Sequence, residues 1–171
     1  MKISTHTKER ERGFTLIEAL VAISILLFAI AGPLTIASRG VLSSNVARDQ
    51  TTAFYLAQEA IEYVRNTRDE NSLRALSWLT GLSNCVAPSA CNIDAKNKTV
   101  SVCSGQCATL LLDSNHFYNN LSGNPTLFRR TVSITSLNAV EAAISVTVSW
   151  QPSFLAVPRT FTVRENIFNW Q

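Results

Sequence analysis

The stretch RERGFTLIEALVAISILLFAIAGPLTIAS, residues 10–38, decides how the rest of this chain is read. From Ala19 to Ser38 it holds twenty residues without an Asp, Glu, Lys, Arg or His. A helix of about 20 mostly apolar residues is long enough to cross the hydrocarbon core of a bilayer. At the edge of that run stands one carboxylate, Glu18. A charge beside a membrane segment is costly enough to imply a function and a partner.

The flanks orient the segment. Residues 1–13 carry Lys2, Lys8, Arg10 and Arg12 against Glu9 and Glu11, so +2 of the chain's +3 formal charge sits in the leader. A basic leader before an apolar run stays cytoplasmic and sends the remainder outward. A cleaved secretory signal has a shorter apolar region of about 7–15 residues and a distinct small-residue end. Here Ala29, Ala31 and Gly32 are scattered through the run, which favours a retained anchor. No basic patch outside the leader points to nucleic acid, since Arg129-Arg130 is the only adjacent pair there.

Gly32-Pro33 lies within the apolar run. Proline removes a helical hydrogen bond and crowds the preceding turn, so a kink or a locally melted stretch is expected. Beyond it, Val46, Ala53, Leu56, Ala57, Ala60, Ile61 and Val64 recur at helical spacing and form one apolar stripe. The expectation is one long helix, its first half (14–38) in lipid and its second (39–71) amphipathic, ending near Asn71. Glu62 is placed to pair with Arg65 across one turn.

Residues 72–98 read as a helical turn followed by a stapled loop, and 99–103 and 108–113 as short strands. Asp113-Ser114-Asn115 is a turn candidate. The clearest strand signal comes last. Phe128, Arg130, Val132 and Ile134 alternate with polar residues, as do Ile144, Val146, Val148 and Trp150, and then Phe161 and Val163. Such period-two patterns predict an antiparallel sheet over 128–170 with one face packed on the amphipathic helix. The fold class is α+β, with a globular region at 72–171.

Cys85, Cys91, Cys103 and Cys107 share a 23-residue window. Outside the membrane that favours two disulfides. Only the last two cysteines fit the Cys-x2-4-Cys spacing of zinc sites, and no His lies among them, so no metal is expected. Four cysteines allow three pairings. The shortest loops come from Cys85 with Cys91 and Cys103 with Cys107, the expected choice among the three.

Catalytic signatures are missing. His6 and His116 have no accompanying nucleophile or metal-binding motif, and the six glycines form no phosphate-binding loop. Glu59 and Glu62, amid arginines, suit a solvated ion-pair surface better than an acid–base pair. Trp150 continues a buried strand pattern; Phe54, Tyr55 and Tyr63 are expected to cover the joint between helix and sheet. Trp78 and Trp170 are assigned to no ligand. The chain reads as no enzyme and calls for no cofactor.

Arg12-Gly13-Phe14-Thr15-Leu16-Ile17-Glu18, after a short basic leader and before an apolar helix, resembles the class III signal of type IV pilins and type II secretion pseudopilins. The resemblance implies cleavage by a membrane-embedded prepilin peptidase between Gly13 and Phe14, with Phe14 N-methylated as the new terminus. It implies a long kinked helix packed on an antiparallel sheet, and assembly with other pilins on a platform in the inner membrane. It also implies that Glu18 meets the N-terminal amine of a neighbouring subunit. In low dielectric that pair is attractive, while either charge alone is costly. Residues 55–71 and the ending ISVTVSW…RTFTVRENIFNW resemble PilV-like minor pilins, and also I-type pseudopilins. The mid-chain cysteines depart from major pilins, where they close a C-terminal loop. The alternative is a membrane-anchored extracytoplasmic binding or adhesion protein whose stapled region recognises a ligand.

Overall fold

The computed structural model describes residues 13–152 and 157–169. The leader to Arg12, with His6, and Trp170 lie outside them. Contacts divide the chain into two units between Val46 and Ala47.

Helix α1 runs Leu16–Leu73 without leaving helical geometry at Gly32 or Pro33. Within the second unit its buried residues are Asp49, Ala53, Leu56, Ala57, Ala60, Ile61, Val64 and Asn71, a stripe at spacings of three and four. Burial therefore starts at Asp49, almost three turns beyond Arg39, where the amphipathic half was expected to begin. The small side chains of Ala53, Ala57 and Ala60, all fully buried, let the sheet approach closely.

The helix ends two residues past Asn71 in a Schellman motif. The amide of Leu76 donates to the Asn71 carbonyl at 2.9 Å and that of Ala75 to the Ser72 carbonyl at 3.1 Å. Ala75 occupies the left-handed position usually taken by glycine, with φ 53°. The Asn71 side chain then ties the helix end to the next segment by donating to the carbonyls of Trp78 (3.2 Å) and Thr80 (2.8 Å).

Among the described residues the sheet has seven strands: β1 (Cys91–Asp94), β2 (Thr99–Val102), β3 (Thr109–Leu112), β4 (Tyr118–Asn119), β5 (Asn124–Asn138), β6 (Glu141–Trp150) and β7 (Arg159–Phe168). All strand pairings are antiparallel. Strand β5 organises them. One edge pairs with β6, which pairs in turn with β7. Its other edge takes β3 at Thr109↔Arg129 and β1 at Cys91↔Val132. Gly123, at φ +126°, enters β5 so close to Leu112 that an added Cβ would collide with the Leu112 carbonyl.

The sheet thus begins at Cys91 rather than 128, which corrects the loop expected over 72–98. Strand β1 escaped a period-two search because all four of its residues are buried, two of them polar. The three alternating runs behave as their patterns predict. Phe128, Arg130, Val132 and Ile134, then Ile144, Val146, Val148 and Trp150, are buried, while Phe161 and Val163 pack against them from the margin. Burying an Ile or Val side chain contributes about 1.5–3 kcal/mol, so this double row facing the alanines of α1 carries much of the stability.

Candidate functional site

At the amino terminus Gly13, Phe14 and Thr15 precede the helix. The first turn leaves backbone amides without helical partners. Thr15 supplies one, its hydroxyl accepting from the Glu18 amide at 3.3 Å. Thr15 and Glu18 have the Thr-x-x-Glu spacing of a capping box, a local role the sequence reading did not see. The Glu18 carboxylate also sits where the helix dipole favours negative charge. It is exposed, and among the described residues it has no hydrogen-bond or ion-pair partner.

The next turns expose apolar side chains on every face. Phe14 is 75 % exposed, Leu16 79 % and Phe28 82 %, with Leu20, Ile23, Leu26, Leu27, Ile30 and Leu34 all over half exposed. A helix apolar all round needs lipid or other apolar surfaces around it. Its hydroxyls are closed on the helix itself: Ser24 donates to the Leu20 carbonyl (2.8 Å), Thr35 to Ala31 (2.9 Å) and Ser38 to Thr35 (2.9 Å). No hydroxyl proton in this run is left to cost free energy in hydrocarbon. Pro33 removes the donor that the Ala29 carbonyl would otherwise have. By length and composition the segment can cross a membrane.

Comparison with known proteins adds a motif to these features. Residues 8–32 match the prokaryotic N-terminal methylation motif. The chain carries the class III signal of type IV pilins and pseudopilins. No curated protein and no solved structure matches it significantly. The α+β arrangement, a long N-terminal helix whose second part packs on an antiparallel sheet, is pilin-like. The signal implies processing by prepilin peptidase and assembly with other pilins.

The remaining candidates are dispersed over the second unit. Cys85 is bonded to Cys91 and Cys103 to Cys107, with Cα separations of 4.7 and 4.8 Å. Among the described residues no group of three His, Cys, Asp or Glu could hold a metal. Glu62 lies 3.5 Å from Arg65, which also bonds Glu165 on β7. Glu59 is not part of a solvated surface network: its carboxylate meets Arg130, which is fully buried, at 2.5 Å. Trp78 and Trp150 belong to the core. Tyr63 packs beside the core, and burial raises its phenol pKa. Phe54 meets Phe161 of β7 edge-on, whereas Tyr55 is 63 % exposed.

A polar knot missed by sequence reading surrounds Asp94. Its carboxylate accepts from the Asn97 amide (2.9 Å), the Asn97 side chain (2.9 Å) and the Asn120 amide (2.7 Å). Burial pushes its pKa up, but these bonds and the Arg130 charge outweigh that and hold it below the usual value. Asp113 closes the expected turn by accepting from the amides of Asn115 (2.8 Å) and Phe117 (2.9 Å), and Lys96 clamps its other oxygen. Lys96 foremost, and then the Phe117 amide, lower the Asp113 pKa.

Proposed function

We propose that this chain is the precursor of a PilV-like minor pilin that assembles through its N-terminal helix. The leader 1–13 is removed between Gly13 and Phe14, and Phe14 is methylated. Segment 14–38 anchors the subunit in the inner membrane and later packs among neighbouring helices, with Gly32-Pro33 as the bending point. Segment 39–71 carries the globular region 72–171 outside, first at the membrane and then in the pilus or pseudopilus. The carrying observation is the methylation motif at residues 8–32, opening on a helix whose apolar surface is exposed on all sides.

Assembly turns on Glu18. Cleavage creates an α-amine at Phe14, and the unpartnered carboxylate is the complementary charge for a neighbour's amine. Thr15 holds the helix start in place, so Glu18 is presented from a fixed first turn. Glu18→Ala is expected to be cleaved normally and yet be depleted from sheared filament fractions. Equal incorporation of that variant and the native chain, measured by quantitative peptide mass spectrometry, contradicts the assembly role.

A further inference from the structure

A cleft of about 380 Å³ lies between α1 and the β3–β4 turn, lined by Thr52, Tyr55, Leu56, Glu59, His116, Phe117 and Tyr118. Three of its walls are aromatic, and two of these are exposed without any core role: Tyr55 at 63 % and Phe117 at 58 %. Exposed rings gathered in one concavity mark a binding surface more often than a packing defect.

The cleft is held in shape from behind. Asp113 fixes the turn through the amides of Asn115 and Phe117. The Lys96 ammonium, tied to Asp113, stands 5.9 Å from the centre of the Phe117 ring. Tyr118 is braced edge-on by Phe128 at 6.0 Å, and Leu56 forms a buried floor. Bracing of Phe117 and Tyr118 lowers the ordering cost of binding on that side of the cleft.

Charge and hydrogen-bonding capacity narrow the ligand class. Glu59 is neutralised by Arg130 and Asp113 by Lys96, so a charged ligand gains little from either. The polar groups that remain are the second Glu59 oxygen, the His116 imidazole, the Tyr55 and Tyr118 hydroxyls, and the Thr52 oxygen as an acceptor, its proton being donated to the Arg48 carbonyl. Aromatic faces beside several hydroxyl-seeking groups, with no net charge, suit a molecule having an apolar C–H face and a rim of hydroxyls. We propose that this cleft binds a neutral sugar, one pyranose ring stacking on Phe117 or Tyr55 while Glu59, His116 and Thr52 bond its hydroxyls.

The test uses the mature full-length chain in a detergent without a sugar headgroup. Maltotriose, chitotriose and lactose are titrated by calorimetry and by saturation-transfer NMR, with a galacturonate trimer and a chitosan trimer as charged comparators. At least one neutral sugar should bind saturably, with transfer to its C–H protons. The Tyr55→Ala/Phe117→Ala double variant should weaken it at least tenfold, and Leu121→Ala, exposed outside the cleft, should leave it unchanged. Unaltered thermal unfolding of the double variant shows that the fold is intact. The proposal is overturned if none of the three sugars binds, if only the charged comparators do, or if the double variant binds as well as the native chain.

Discussion

Arg130, with no exposed surface, donates from one guanidinium nitrogen to both the Leu56 carbonyl at 2.9 Å and the Glu59 carboxylate at 2.5 Å on the helix. Its other terminal nitrogen donates to the Ile93 carbonyl on β1. One side chain on β5 therefore joins α1 to two strands of the sheet. A cation buried this deeply is tolerable only while its partners stay in place.

Removing one partner should accordingly be worse than replacing the cation. Glu59→Ala strands the buried guanidinium and is expected to cost about 3 kcal/mol, the low end for a broken buried pair because Glu59 is partly exposed. Arg130→Met fills the same space without a charge and is expected to cost less than Glu59→Ala. Denaturant unfolding of the mature chain decides the order, and the reverse order would mean that Arg130 acts by attraction rather than by the cost of being stranded.

Asp94 gives stability a pH dependence of defined sign. Its folded pKa lies below the unfolded value, so the stabilisation is complete above that value of about 3.9 and fades as pH falls through the folded pKa. The stability difference between the native chain and Asp94→Asn should be constant from pH 5 to 7 and shrink below pH 4. A constant difference down to pH 2 would remove Asp94 as the source.

Ala75 holds a left-handed conformation that costs an L-residue about 1–2 kcal/mol. Ala75→Gly is expected to raise stability by about 1 kcal/mol, seen as a higher unfolding midpoint with an unchanged denaturant slope. A lower midpoint would mean that the Schellman geometry does not govern this helix end.

The two disulfides should differ in access. Cys85 and Cys91 are fully buried, whereas Cys103 is partly exposed in its loop, although its partner Cys107 is buried. Mild reductant followed by alkylation and peptide mapping should label Cys103 and Cys107 first. Replacing Cys85 and Cys91 together by Ala is expected to lose about 2 kcal/mol from the short-loop entropy alone.

Period-two runs and the helical stripe were legible because their buried positions are mostly apolar, and even Arg130 fell on the inward side of its strand pattern. Its partner was not legible, since Glu59 is 71 positions away in a helix rich in charges. Strand β1 was hidden because Asn92 and Asp94 are buried polar residues whose bonds to Asn120 span more than 25 positions. The helix stop at Ala75 lacked the glycine that normally signals it. Thr15 and Glu18 have the capping-box spacing in the sequence itself, where a carboxylate at the edge of a membrane segment also fits a partner outside the chain. The aromatic cleft joins residues 52–59 to 116–118, which only the folded chain brings together.

The amino terminus of the chain from membranes that contain prepilin peptidase tests the central claim most directly. Intact-mass and N-terminal peptide measurements should find a chain beginning at methylated Phe14, with residues 1–13 absent. A chain that keeps its leader, or one cut beyond Ser38, would contradict the pilin precursor and favour an anchored or secreted extracytoplasmic binding protein.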